Sequence, residues 1–329
     1  MAPLAQSSIT PIAPFRIDPV FTARVWGFKD LRPWYNRVAG GDPIGEVWLT
    51  GDECVIATGP HKGEKLGAVF AAAHDGLVGE GTPAGSPILI KVIFARDKLS
   101  VQVHPDDAMA CKYGEPRGKT ECWYALDAEP GARVAVGLKP GTTIEQVREE
   151  IADGTLETHL NAVPVARGDM VFIDAGTVHA IWPGSILLET QQYSDTTYRM
   201  FDYGRPRELH IAKSLEATKL ATRAGKIAPQ KLGDRTVLID VDYFRVEQIA
   251  VDGSWTSENL RYIGEEAGLA YLFAAGGAGR VSGSGFEAVD LPTRGVVAVP
   301  ASSPEFVLED VSGPGEKLDL IRITPNWPE

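Results

Sequence analysis

Glycine and proline punctuate this chain from end to end, 35 and 23 of them in 329 residues, and no single linker collects them. Between them lie short β-type runs: 46–50, 88–94, 133–136, 170–173, 186–190 and several after Val237. Runs of four to seven residues bounded by turn formers are too short for helices and suit buried strands. The pattern predicts a mainly β chain of sandwich or barrel type with few helices. Two helices are expected. One spans 142–153, where Thr142 and Glu145 are spaced as a capping box and Ile144, Val147 and Ile151 lie along one side. The other spans 210–223, and a short helix is expected after Pro105.

The length accommodates two domains, and 44% apolar content supports packed cores. Residues 221–235 are polar and poor in apolar side chains, which predicts one boundary: a domain 1–225 carrying the chemistry and a smaller β domain 226–329. Arg167-Gly-Asp-Met-Val-Phe-Ile and Arg294-Gly-Val-Val-Ala-Val read alike, as turn then strand, so the two domains are expected to share a fold. The first copy runs on to His179 and the second reaches no histidine, so a metal is expected in the first domain alone.

A net charge of −12 argues against nonspecific nucleic-acid or anionic-membrane partners. No apolar run is long enough to span a bilayer, and the N-terminus shows no signal-peptide pattern. Three cysteines without a CxxC spacing suit reduced thiols, so a cytoplasmic location is expected.

Chemistry concentrates in Leu99-Ser-Val-Gln-Val-His-Pro-Asp-Asp107, Gly118-Lys-Thr-Glu-Cys-Trp123 and Asp174-Ala-Gly-Thr-Val-His179. Alternate side chains of a strand share a face. Ser100, Gln102 and His104 therefore align, as do Lys119, Glu121 and Trp123. An amide oxygen, two imidazoles and a carboxylate form a plausible donor set for a divalent metal. An isolated Gln-x-His on a strand is more often a hydrogen-bonded surface pair, but here the neighbouring segments favour a metal. Arg199 shares a face with Phe201 and Tyr203; an ion pair with Asp202 or Asp195 is its structural alternative. Glu189 stands in an otherwise apolar strand, facing either an edge or a pocket. Glu46 and Trp26 are weaker candidates, Trp26 chiefly as packing. His61, His74, His159 and His210 lack ligand spacing, and Cys122 has the opposite parity to Glu121.

Gly168 followed by Asp174-Ala-Gly-Thr-Val-His179 resembles the second motif of the cupin superfamily. The 99–107 and 118–123 blocks resemble those of type I mannose-6-phosphate isomerases, in the short bacterial form. Further matching blocks are Val25-Trp26-Gly27, Ile44-Gly-Glu-Val-Trp48 and 189–203, in order over most of residues 20–220, whereas the C-terminal third matches only in general character. The resemblance implies two cupin-type jelly-roll barrels. It implies one zinc ion per chain held by Gln102, His104, Glu121 and His179. It also implies Arg199 in the active site and Lys119 lining the pocket. Gln102 replaces the first histidine of the general cupin HxH, which suits this family and not a generic iron oxygenase. The implied activity interconverts mannose 6-phosphate and fructose 6-phosphate by moving a proton between C1 and C2 through an enediol. Lys119 and Glu189 are alternatives for the base, and Arg199 is expected to stabilise the oxyanion or place the substrate. Ser100, Lys119 and Arg199 are substrate-binding candidates. The expected partner is a small sugar phosphate, with no obligate protein partner. The main alternative is a cupin that binds a sugar phosphate without turning it over.

Overall fold

A computed structural model describes residues 10–261 and 267–327. The chain is mainly β, as expected, and divides into two compact units. In described residues, the first unit is 20–48 with 88–230; the second is 10–19, 49–87 and 231–327.

The single boundary expected near 225 lies close to one crossing, at 230, and the chain crosses three more times, after 19, 48 and 87. Strand pairing explains the difference. Phe15–Asp18 pairs with Val296–Val299 on one side and Val55–Ile56 on the other. Early segments thus complete the sheet of the second unit. Long-range pairing of this kind leaves no compositional trace at the crossing points, because each segment only needs to be a good strand.

The first unit is built from two sheets. One orders Gly225–Ile227, Met170–Ile173, Glu121–Ala128, Ser185–Gln192, Ile88–Ala95, Ile44–Trp48 and Val20–Phe28. The other orders Tyr198–Phe201, Val101–Val103, His179–Ile181, Arg133–Leu138 and Leu160–Pro164. All pairings within them that are recorded are antiparallel. Between the sheets, Trp123, Ala125, Val134, Val171, Ile173, Ile181 and Leu187 form one core. Eight strands of this unit recur in the second in the same chain order and with matching sheet neighbours, from Phe244–Ala250 to Asp319–Pro325. The resemblance of the 167 and 294 segments is thus a repeat of fold: their strands, Met170–Ile173 and Val296–Val299, sit at equivalent sheet positions.

The helices are shorter or shifted relative to expectation. Ile144–Asp153 is capped by Thr143 with Gln146, one residue beyond the predicted Thr142 and Glu145. The sequence Thr142-Thr143-Ile144-Glu145-Gln146 holds two overlapping boxes, and the chain uses the second. Thr142 instead donates its hydroxyl to the Lys139 carbonyl and closes the preceding turn. The helix expected over 210–223 stops at Ile211–Ala217. Beyond it the Lys219 amide donates to the Gly176 carbonyl, which pulls the chain out of helical geometry. The short helix after Pro105 is Asp107–Lys112, N-capped by the Asp106 carboxylate accepting from the Met109 amide. No helix among the described residues is long and apolar enough to cross a membrane.

Candidate metal centre

Each chemical segment reaches the centre for a local reason. Val101–Val103 lies between Tyr198–Phe201 and His179–Ile181, with Gln102 directly opposite His179. Glu121 opens its strand opposite Ile173 and Gln191. The turn before it needs Gly118: a Cβ there would stand 2.5 Å from the Asp106 carbonyl carbon and 2.7 Å from the Pro105 oxygen. That close passage lets the Lys119 amide donate to the Pro105 carbonyl at 2.9 Å, tying the second block to the first. Gly176 turns with φ +92° and donates its amide to the His104 carbonyl at 2.9 Å, tying in the third block.

The donor atoms of His104, Glu121 and His179 lie within 4.8 Å of one another, and all three residues are fully buried. His104 Nδ1 faces the Thr196 carbonyl at 2.9 Å, and His179 Nδ1 faces the Thr177 carbonyl at 2.9 Å. A carbonyl only accepts, so each Nδ1 carries the hydrogen and each Nε2 presents a lone pair inward. Burial holds both imidazoles in the neutral form, with Lys119 and His179 adding to the effect on His104. The His104 pKa falls well below the usual value, and that of His179 falls to about 4. Glu121 Oε1 stands 3.4 Å from His179 Nε2, and its Oε2 stands 3.6 Å from His104 Nε2. His104 Nε2 has no hydrogen-bond partner, and Glu121 Oε2 has the Lys119 ammonium on one side. Two imidazole lone pairs and a carboxylate thus converge in a buried space, an arrangement that suits a cation. Gln102 completes the group, its amide nitrogen 3.2 Å from His179 Nε2 while its oxygen accepts from Ser100 Oγ at 3.2 Å. A half-turn of the amide would present the oxygen to the same point. The residues fit a divalent metal.

A wall of buried charge stands beside this group. Lys119 Nζ lies 3.1 Å from Glu121 Oε2 and 3.9 Å from Glu189 Oε1. Glu189 also accepts from Trp123 Nε1 at 3.1 Å and pairs with Lys91 at 3.2 Å. Burial and the Glu121 charge push the Glu189 carboxyl upward, towards its protonated form. Burial alone would lower Lys91, but Glu189, Glu46 and Asp195 outweigh it and hold the ammonium charged. A cavity of about 470 Å³ opens beside this wall, lined among others by Trp26, Ser100, Gln102, Lys119, Glu189 and Arg199.

The structure brings Ser100, Gln102, His104, Lys119, Glu121, His179 and Glu189 into one site and places Arg199 on its pocket. Arg199 forms no pair with Asp202, which is taken by Arg205 and Arg207. Glu46 is more engaged than expected: its Oε2 accepts from Arg24 at 2.8 Å and Trp48 Nε1 at 2.7 Å. Trp26 both packs in the core and lines the pocket. Asp195, the other partner expected for Arg199, pairs at 3.4 Å with Lys91, a residue the sequence did not single out. The signal for Lys91 was available, since it is the one charge in the apolar run Ile88-Leu-Ile-Lys-Val-Ile-Phe94. Cys122 is buried, as its parity suggests, and His61, His74, His159 and His210 find ordinary partners outside the group.

No family model matches the chain. It is 36% identical over 245 residues to the mannose-6-phosphate isomerase of Streptococcus mutans, covering 70% of this chain and 77% of the relative. It is 35% identical over 256 residues to the mannose-6-phosphate isomerase ManA of Bacillus subtilis, covering 73% and 80%. The crystal structure of a mannose 6-phosphate isomerase from Bacillus subtilis superposes with a TM-score of 0.82 at 26% identity, covering 95% of this chain and 99% of that one. Sequence and fold agree over most of both chains, and this chain belongs to the mannose-6-phosphate isomerase family of enzymes.

Proposed function

We propose that this enzyme interconverts mannose 6-phosphate and fructose 6-phosphate, with one zinc ion held by Gln102, His104, Glu121 and His179. The observation that carries the reading is the buried meeting of two inward imidazole lone pairs and a carboxylate, with Lys119 and Glu189 alongside. Two neutral nitrogens, an amide oxygen and one carboxylate suit zinc and leave the loaded site with net positive charge. When bound, such an ion acts as a Lewis acid that stabilises negative charge developing on sugar oxygens.

The chain's own groups supply the rest. The C2–H bond of the open-chain aldose breaks and a C1–H bond forms, while the hydroxyl proton passes from O2 to O1 in balance, through an enediol. The Lys119–Glu189 pair carries the carbon-bound proton. Glu189, raised by burial, is suited to take up and return a proton, and Lys119 stands 3.9 Å from it. Trp123 and Lys91 fix the orientation of Glu189. Ser100 and Arg199 bind substrate oxygens, the guanidinium offering planar paired donors.

A coupled assay for fructose 6-phosphate, with metal analysis of the same sample, tests this reading. Turnover lost on chelation and restored by zinc is the expected result. Tight binding of mannose 6-phosphate without turnover by the zinc-loaded protein would overturn it in favour of a binding protein.

A further inference from the structure

Lys119 and Glu121 enter the site from either side of one residue, Thr120, which turns its hydroxyl to the third block and accepts from the Ala175 amide at 3.4 Å. Both peptide groups of Thr120 are held by Gln192. The Thr120 amide donates to Gln192 Oε1 at 2.8 Å, and the Thr120 carbonyl accepts from the Gln192 amide at 3.0 Å. Gln192 ends the strand that carries Glu189, and Thr120 and Gln192 are both buried. The other end of the Gln192 side chain is held in turn. Its Nε2 donates to Asp107 Oδ1 at 3.0 Å, and the same oxygen accepts from the Gly118 amide at 2.7 Å. Asp107 opens the helix Asp107–Lys112, directly after the first ligand block. It therefore grips the second block twice, at Gly118 directly and at Thr120 through Gln192.

Glutamine suits this place because its two ends differ. Oε1 meets a donor, the Thr120 amide, and Nε2 meets an acceptor, the Asp107 carboxylate. Turning the amide over would set N–H against N–H and oxygen against oxygen, so its orientation is fixed. A glutamate has the same shape but no hydrogen for Asp107, and it would place two carboxylates together in a buried spot. The peptides fastened here are those from which the Lys119 and Glu121 side chains rise. Glu121 Oε2 stands 3.1 Å from Lys119 Nζ and 3.6 Å from His104 Nε2, so a small slide of this segment moves the metal donor and the ammonium together. A displacement of about 1 Å in a reacting site can cost about 100-fold.

We propose that Gln192 is a positioning residue which, braced by Asp107, fixes the Thr120 peptide and so sets Glu121 for the metal and Lys119 for the proton transfer. The inference rests on the zinc isomerase reading above and adds a residue outside the donor group.

The test compares wild type with Gln192→Glu, Asp107→Asn and the double variant. It measures the zinc Kd by competition with a chromogenic chelator, and kcat and KM for mannose 6-phosphate on the zinc-loaded enzyme. Loss of a group that orients a metal ligand corresponds to about 10–100-fold. The zinc Kd should rise and kcat should fall by about that factor in Gln192→Glu, with KM changed far less. Asp107→Asn should lose less, since its amide oxygen can still take both hydrogens. In the double variant the hydrogen bond returns with its polarity reversed, and zinc Kd and kcat should recover most of the loss. A merely structural role would shift unfolding without moving the zinc Kd and would give no such recovery. Zinc Kd and kcat within twofold of wild type in Gln192→Glu would overturn the proposal, as would a double variant no better than Gln192→Glu. Should Gln192→Glu fail to fold, Asp107→Ala takes its place; it removes the brace, and an unchanged zinc Kd there would overturn the proposal. A wild type without isomerase activity, or active without zinc, would sink the parent reading, while the remaining readout would still judge the brace.

Discussion

The two units run the same eight strands in the same order, yet among the described residues only the first brings two histidines and a glutamate together at the end of its barrel. Register shows how few side chains separate them. Glu121 faces Ile173 across its sheet, and at the equivalent place Ala270 faces Val299. His179 faces Val136; Phe306 faces Gly283. Gln102 lies opposite His179, whereas Ser257 accepts from the Phe306 amide. A carboxylate, an imidazole and an amide thus give way to a methyl, a phenyl ring and a hydroxyl, and Ala270, Val299 and Phe306 join an apolar core. One ion pair survives with its polarity reversed. Lys91 pairs across strands with Glu189 in the first unit, and Glu247 with Arg322 in the second, at 3.2 and 2.8 Å. The framework therefore tolerates a buried pair in either orientation, and the metal group is the part that distinguishes the units.

Carrying the second unit's residue into the first is the strongest way to test that difference. His179→Phe should leave a folded chain without bound metal and lower turnover by roughly a thousandfold, the scale of several kcal/mol of transition-state stabilisation. Metal analysis and the coupled assay read this, and normal metal content with normal turnover would break the comparison. Glu247→Gln removes the buried charge that pairs with both Arg322 and Arg235 and should cost about 3–5 kcal/mol in denaturant unfolding, with turnover per folded molecule unchanged. A kinetic defect there would mean that the second unit shares in the chemistry. Chelation should lower stability by about 4 kcal/mol if the free ion stood a thousandfold above its Kd, and zinc should restore it. His179→Phe should be insensitive to the same chelator. The smallest effect is at the helix cap: Thr143→Ala should cost about 1 kcal/mol, and Thr142→Ala should not remove the capping box.

Spacing alone made the ligand faces legible, because strand alternation is a local property. Gln102 with His104, and Lys119 with Glu121, had to share faces once their segments were strands. The repeat was legible through two similar turn-and-strand segments, although only register equates Phe306 with His179. The segments 10–19 and 49–87 pack with the second unit, which composition does not reveal, since a strand's own sequence does not name its partner. Lys91 stands out in the sequence as the one charge in an apolar run, but its partner does not: only strand pairing sets Glu189 across from it. The helix stops at Ala217 although its helical spacing continues, because the Gly176 carbonyl competes for the backbone.

By itself the sequence determined the β character of the chain, the donor types and the faces on which they stand. These follow from side-chain chemistry and the two-residue period of a strand. Tertiary structure decided that Gly118 and Gly176 lock three separate blocks together, that each imidazole turns its lone pair inward, and that Asp202 pairs with Arg205 and Arg207 and leaves Arg199 to the pocket. Such outcomes depend on atoms distant in sequence competing for the same hydrogen bonds and the same small volume, and only the closed barrel sets that competition.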